Sequence, residues 1–175
     1  MGQRTTIILQ HVIRKEGRLE QDTVETRVFY EQWGIGRITP TELMMIVQST
    51  ITGQPGRYGY AELSKPVGMH DDTSDYDTTR LNSLDFTRPE DVGRVMLEEG
   101  NNNGGVFIRI VNDKYGLMES IEYAYMKGGE EDGDYRHWCT EDEWMKAFDR
   151  YCDFNFYKMY RQVMSYFGAK EYNNN

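Results

Sequence analysis

The stretch from His70 to Asp77 has the composition of a metal-binding loop. Three of its four aspartates, Asp71, Asp75 and Asp77, could present oxygen ligands to Ca²⁺ or Mg²⁺. The spacing does not match an EF-hand, because Tyr76 stands where that loop requires glycine and Asn82 stands where it requires glutamate. We therefore interpret the stretch as a solvated acidic loop. A small metal- or nucleotide-dependent hydrolase that uses residues 70–77 is the alternative.

Two further patterns place reactive groups close together in the chain. His137 and Cys139 bring an imidazole near a thiol, and the predicted N-terminus of the last helix lies beside Cys139, which would lower the pKa of its thiol. Residues this close in sequence rarely form a catalytic dyad, because the base must reach the thiol in space and be oriented by a third group. The three His and two Cys lack zinc-ligand spacing. We predict no catalytic residue, no cofactor and no bound metal, and so a protein that is not an enzyme.

Gly34 and Gly36 precede a predicted helix, as glycines do in phosphate-binding loops. The segment lacks the third glycine of a dinucleotide fingerprint and the Lys-Ser/Thr pair of a P-loop. A turn that needs a flexible backbone is the preferred interpretation. Arg37 beside it either closes the turn or binds an anion at the helix N-terminus.

Aromatic residues recur in two similar segments. Tyr30-x-x-Trp33 leads to a Thr-x-x-Glu helix start at Thr39, and Tyr135-x-x-Trp138 leads to another at Thr140. Such aromatics usually fasten a sheet to a helix, but an exposed aromatic patch is typical of a binding surface. Our candidate partner-binding residues are Trp33, Arg37, Tyr58, Tyr60, Tyr76, Trp138, Tyr151 and Tyr157.

The charge and the hydrophobic pattern narrow the class of partner. A formal net charge of −9 over 175 residues argues against general nucleic-acid binding, which needs clustered Lys and Arg. An acidic chain can instead block the site of a nucleic-acid-binding enzyme, and such an inhibitor is a further alternative. No stretch approaches the roughly 18–20 apolar residues of a membrane span, so we expect no membrane contact. Cys139 and Cys152 are expected to be free thiols in a reducing compartment.

The hydrophobic pattern predicts an α+β domain over residues 1–175. Strands are predicted at 5–13, 24–33, 106–111 and 118–127, forming two β-hairpins in an antiparallel sheet. The sequence Asn112-Asp113-Lys114-Tyr115-Gly116 is predicted to be the hairpin turn between the last two strands. Three helices with Thr-x-x-Glu capping boxes, beginning at Thr39, Thr87 and Thr140, are expected to cover one face of that sheet. The last helix, ending at Gly168, is aromatic around most of its circumference, which is typical of burial on two sides.

Residues 53–86 lose this periodicity and are predicted to form a long irregular arm. A connection of over thirty residues is far longer than the usual loop of about 4–6 residues. We expect the arm and the aromatic last helix to clamp the chain to protein partners, including other copies of itself in a homo-oligomer. The leading hypothesis is a structural or interaction subunit of a larger assembly, such as a phage or virion component. Its expected location is the cytoplasm or a virion.

Overall fold

The computed structural model describes residues 5–17, 20–31, 69–98, 104–127, 135–140, 143–144, 161–162, 165–166 and 168–172. The strands in these ranges are β1 (Thr5–Ile13), β2 (Thr23–Glu31), β3 (Met69–Asp71), β4 (Gly105–Asn112), β5 (Met118–Met126) and β6 (Lys170–Glu171). The helices are α1 (Thr78–Asn82) and α2 (Pro89–Glu98). One turn of 3₁₀ helix spans Thr73–Asp75. The strands form a single sheet in the order β3-β2-β1-β4-β5-β6, which makes the protein a mixed α+β fold.

The sheet is mixed, and the predicted antiparallel sheet is therefore wrong. β1 pairs antiparallel with β2, and β4 with β5, but β1 and β4 run parallel at the centre of the sheet. Between β2 and β4 the chain forms β3, α1 and α2, and it then enters β4 beside β1 in the same direction. Parallel neighbours require a long crossover of this kind. The described residues contain two helices with defined bounds, so the predicted three capped helices are not confirmed. A sheet made of two hairpins is not confirmed either, because β3 and β6 add strands and the β1–β2 and β4–β5 pairs join through parallel strands.

The two central strands are buried on both faces, which explains their nearly continuous apolar sequences. On one face, Ile8 pairs with Val28 on one side and Phe107 on the other, and Phe107 pairs with Ala124. This row forms a core with the buried side of α2, contributed by Val92, Val95 and Met96. We refer to this side of the sheet as the helix-bearing face.

The opposite face is equally buried. Ile7 pairs with Phe29 and Val106, and Val106 pairs with Tyr125, all without solvent exposure. The Trp144 ring stacks on the Tyr125 ring at 4.6 Å between centroids. Burying both faces lets a modest hydrophobic content, 38% of the residues, fill a continuous core.

The Thr140 capping box that positions Trp144 is confirmed. The Glu143 backbone N–H donates to Thr140 Oγ1 at 3.2 Å, and the Thr140 backbone N–H donates to Glu143 Oε2 at 2.8 Å. The predicted Thr87 capping box is not confirmed, because α2 begins at Pro89 and the Thr87 backbone N–H and hydroxyl both donate to Asp85 Oδ1. Thr39 lies outside the described residues.

The predicted arm is wrong for residues 69–86, which fold into the domain. This segment contributes β3, α1 and three buried anchors, Leu81, Leu84 and Phe86. Its apolar residues are few and irregularly spaced, so they produce no helix or strand periodicity in the sequence. They nevertheless bury a large area, because each one enters the core below the helix-bearing face. Residues 53–68 lie outside the described part of the chain.

The same segment closes the outer edge of β2 with side chains. Beyond the short β3 pairing, the Val28 N–H donates to Thr73 Oγ1 at 3.0 Å and the Thr26 N–H donates to Asn82 Oδ1 at 2.9 Å. The Val28 carbonyl accepts from the Asp72 N–H at 3.0 Å. Open strand edges tend to pair with other chains. Thr73 and Asn82 satisfy this edge without a full partner strand.

Candidate functional site

The carboxylates of the acidic stretch stabilise local structure. Asp71 accepts hydrogen bonds from Arg27 Nη1 and from the Thr73 backbone N–H, both at 3.1 Å. Asp77 is the N-cap of α1 and accepts from the Arg80 N–H at 2.8 Å. In the part of the chain that the structure describes, no three His, Cys, Asp or Glu residues are placed to hold a metal ion. Two of the three proposed metal ligands therefore have other partners.

Cys139 lies in an environment that opposes a reactive thiol. Its backbone N–H donates to the Tyr125 carbonyl at 2.8 Å, which joins the segment to β5. Burial, assisted by the negative charge of Glu143, raises the pKa of the Cys139 thiol to about 12. The expectation of a lowered pKa is therefore wrong. Glu143 is the same residue whose carboxylate completes the capping box, so the helix start brings a negative charge toward the sulfur.

Two candidate partner-binding residues pack against the core. Trp138 Nε1 donates to the Phe86 carbonyl at 2.7 Å, and its ring contacts the Phe86 and Phe107 rings. The Tyr76 hydroxyl donates to the Val95 carbonyl at 3.4 Å. These contacts fasten both segments to the helix-bearing face, which is the arrangement that the first interpretation predicted for Trp138. The other six candidates lie outside the described residues: Trp33, Arg37, Tyr58, Tyr60, Tyr151 and Tyr157.

A different exposed pair stands at the turn between β4 and β5. The Tyr115 side chain is 75% exposed and Leu117 is 67% exposed. We call these two residues the tip patch. The turn was predicted from its Asn-Asp-Lys-Tyr-Gly sequence, but neither residue was selected as a binding residue. The available signal was a tyrosine inside, and a leucine directly after, the hairpin turn predicted at residues 112–116.

Hydrogen bonds hold this turn in one conformation. Asp113 Oδ1 accepts from the backbone N–H groups of Tyr115 and Leu117, each at 2.8 Å. The Asp113 N–H donates to the Leu117 carbonyl at 2.8 Å, and the Asn112 side chain donates to the Gly116 carbonyl at 3.0 Å. Gly116 adopts φ +82°, a conformation that favours glycine. The tip patch is thus presented on a closed and well-bonded turn.

Ion pairs connect the turn to the neighbouring loop between β1 and β2. The Lys114 ammonium lies 4.6 Å from the centroid of the Tyr115 ring and also pairs with Glu16. Arg14 Nε and Glu119 Oε2 are 2.9 Å apart. Exposed ion pairs each contribute little to stability. Here their effect is geometric, because they limit the positions that the Tyr115 side chain and the turn can adopt.

His11 is a buried titratable group on the face opposite the helices. Burial lowers the pKa of the His11 imidazole from its ordinary value of 6.5, while interactions with Asn112 and Glu25 act in the opposite direction and are smaller. Register places Glu25 directly across from His11 on β2. His11 is therefore neutral in the folded protein under conditions where the unfolded chain begins to take up a proton.

This arrangement predicts a pH dependence of stability. The contribution of neutral His11 is fully present above pH 6.5 and is lost as the pH falls toward the lower pKa of the folded state, because only the unfolded chain gains a proton in that window. Urea denaturation between pH 8 and pH 5 should show falling stability, with a shallower fall in His11→Leu. Equal slopes for the two proteins would show that His11 is not buried as a neutral group.

No helix among the described residues has the length and apolar character needed to span a membrane. Comparison of the chain with protein-family models, with curated proteins and with solved structures found no match. The six-stranded mixed sheet and its helices define a mixed α+β fold.

Proposed function

We propose that this chain is a non-enzymatic subunit of a larger protein assembly and that the tip patch contacts a protein partner. The observation that carries the proposal is the exposure of Tyr115 and Leu117 on a turn fixed by Asp113. A scattered exposed hydrophobic residue is ordinary. Here two of them lie two positions apart on one turn whose backbone is held by Asp113, and we infer that together they enter an apolar pocket on a partner.

The rigidity of the turn favours binding for a thermodynamic reason. Association loses free energy when loops and side chains must be ordered, by about 0.5–1.5 kcal/mol for each flexible side chain. The hydrogen bonds of Asp113 order the backbone of the turn before any partner arrives. The Lys114 ammonium above the Tyr115 ring restricts that side chain as well. Tyrosine is also among the residues that most often dominate the free energy of binding.

The partner candidates in the arm and the last helix belong to the same proposal. Tyr58, Tyr60, Tyr151 and Tyr157 would add contacts to the assembly that the tip patch begins. The proposed partners are proteins, which include further copies of this chain. The proposed assembly is a phage or virion component, located in the cytoplasm or in a virion. Asp71 and Asp77 are already bonded within the fold, which weakens support for the alternative hydrolase.

The test compares a double variant with a matched control. Tyr115→Ser/Leu117→Ser removes the tip patch, and Leu97→Ser removes a 53% exposed hydrophobic residue on α2. Both should stay within about 0.5 kcal/mol of the parent in stability, because surface substitutions have small effects. In gradients of extracts from the producing cells, the parent and Leu97→Ser should sediment with a large complex, and the double variant should remain with free chains.

Two results would refute this function. If the parent chain sediments only as a free monomer, the chain is not a subunit of an assembly. If the double variant sediments with the complex as fully as the parent does, the tip patch does not contribute to binding the partner. Light scattering on the purified parent chain then distinguishes a homo-oligomer, which forms without other proteins, from a complex with a different partner.

A further inference from the structure

Asn112 at the end of β4 is a buried polar residue whose side chain is only partly satisfied. The residue is 2% exposed, and Asn112 Oδ1 is sealed from solvent with no hydrogen-bond partner in the described structure. The His11 imidazole of β1 is near enough to be influenced by this amide, but neither Asn112 Oδ1 nor His11 Nε2 is in a well-formed hydrogen bond. A buried polar atom without a partner lowers stability. The stability of the core therefore does not explain why an amide stands at this position.

The same residue is bonded to both loops at this end of the sheet. Asn112 Nδ2 donates to the Gly116 carbonyl of the β4–β5 turn at 3.0 Å. The Asn112 backbone carbonyl accepts from the Arg14 N–H at 2.9 Å, where the chain leaves β1. Asn112 therefore joins the turn to the sheet through its side chain, and it joins the neighbouring loop to the sheet through its backbone.

The bond from Asn112 to Gly116 restrains the part of the turn that orients the tip patch. Gly116 separates Tyr115 from Leu117, and its carbonyl belongs to the peptide group that precedes Leu117. Glycine has more backbone freedom than any other residue, and Gly116 adopts φ +82°. The direction of the Gly116 carbonyl therefore sets how the Tyr115 and Leu117 side chains are oriented relative to each other. Asn112 Nδ2 fixes that direction from inside the sheet.

The contribution of this bond to stability is expected to be small. Gly116 is exposed, so water can satisfy its carbonyl when the amide is absent. Asn82, at the outer edge of β2, provides the contrast. Its Oδ1 accepts from the Thr26 N–H at 2.9 Å, and Thr26 is buried, so losing that bond leaves a buried donor without a partner.

We propose that Asn112 is a positioning residue for the tip patch, holding the Gly116 carbonyl so that Tyr115 and Leu117 meet the partner in one fixed arrangement. This inference rests on the proposed function, because it assigns Asn112 a role in presenting the surface that binds. Without the amide, the turn keeps its bonds to Asp113 but gains freedom at Gly116. The partner must then order the patch as it binds, which weakens the association.

The experiment compares Asn112→Leu with Asn82→Leu in the full chain. Leucine has the branched skeleton of asparagine without its polar atoms, and the bond from the Arg14 N–H to the backbone at position 112 is retained. Asn112→Leu should keep a urea midpoint close to that of the parent, while amide exchange at Gly116 and Leu117 becomes about tenfold faster. In gradients of extracts from the producing cells, this variant should shift from the complex toward free chains. Asn82→Leu should lower the midpoint and leave both the exchange at the turn and the association unchanged.

Three results for Asn112→Leu would overturn the positioning role. They are unchanged exchange at Gly116 and Leu117, sedimentation with the complex as full as that of the parent, and a midpoint that falls as far as that of Asn82→Leu. A parent chain that sediments only as free chains is a different result, since it refutes the proposed function, and the exchange measurement still decides whether Asn112 restrains the turn. If Asn112→Leu fails to fold, Asn112→Ala replaces it in the same comparisons.

Discussion

Replacing Phe86 with alanine is expected to lower the free energy of unfolding by about 3–5 kcal/mol, the usual range for removing a buried aromatic side chain. Phe86 is 3% exposed, and its ring centroid lies 4.7 Å from that of Phe107 and 4.9 Å from that of Tyr172. Trp138 packs against the same cluster and donates a hydrogen bond to the Phe86 carbonyl. Alanine would leave a cavity at the point where three separate segments meet.

Urea denaturation followed by circular dichroism measures this loss. Tyr115→Ala is the control, because that ring is exposed and its truncation should change stability by no more than about 0.5 kcal/mol. A loss below about 1 kcal/mol for Phe86→Ala would mean that residues 69–86 behave as the peripheral arm predicted from the sequence. Hydrogen exchange on the isolated chain gives an independent answer, since a packed segment should show slow exchange at Leu81 and Leu84.

Replacing Gly93 with alanine is expected to destabilise the protein by about 1–3 kcal/mol or more, the range for overpacking a close contact. A Cβ atom at Gly93 would overlap the Tyr135 carbonyl oxygen and would lie 2.7 Å from the Tyr135 Cβ. The first of these atoms is backbone, so the segment at Tyr135 would have to move away from α2. Movement there would also disturb Trp138, three residues further along the chain.

The direction in which Gly93→Ala changes the stability of the protein makes the experiment decisive. Glycine inside a helix normally costs about 0.5–1 kcal/mol relative to alanine, so helix propensity alone predicts that Gly93→Ala stabilises α2. Arg94→Ala, at the adjacent and exposed position of the same helix, is the control for an alanine substitution in α2 without the close contact, and its stability should change little because arginine and alanine are both good helix formers. Thermal unfolding of both variants should show a lower midpoint only for Gly93→Ala. A higher midpoint for that variant would show that Tyr135 does not pack against α2 at this point.

Local physics explains the parts of the fold that the sequence predicted well. β1 was predicted with its observed bounds, and β4 and β5 to within a residue, because β-branched and aromatic runs between turn residues depend on neighbours in the chain. The turn after Asn112 follows from Asp and Gly at fixed positions. The Thr140 capping box is likewise a contact between residues three apart.

The candidate site was predicted less well because its properties depend on surroundings. Asp71 looks like a metal ligand in sequence, yet Arg27, 44 positions away, occupies its carboxylate. Cys139 looks activated by a helix start, yet burial beside β5 raises the pKa of its thiol. The turn that carries Tyr115 and Leu117 was predicted, whereas the exposure of both side chains on a rigid support became visible only in three dimensions.

The sequence by itself determined where the central strands run, where the turn between β4 and β5 closes, and that Thr140 and Glu143 form a capping box, since each depends on contacts within a few residues. Only the tertiary structure decided that β1 and β4 lie parallel and that Phe86 completes the core. It also decided that Gly93 must lack a side chain. These features arise where segments far apart in the chain meet. The residues involved show no local periodicity from which the contacting segment could be predicted. The free energy that stabilises these contacts comes from burying apolar surface between those segments, and this burial cannot be predicted from the sequence of one segment alone.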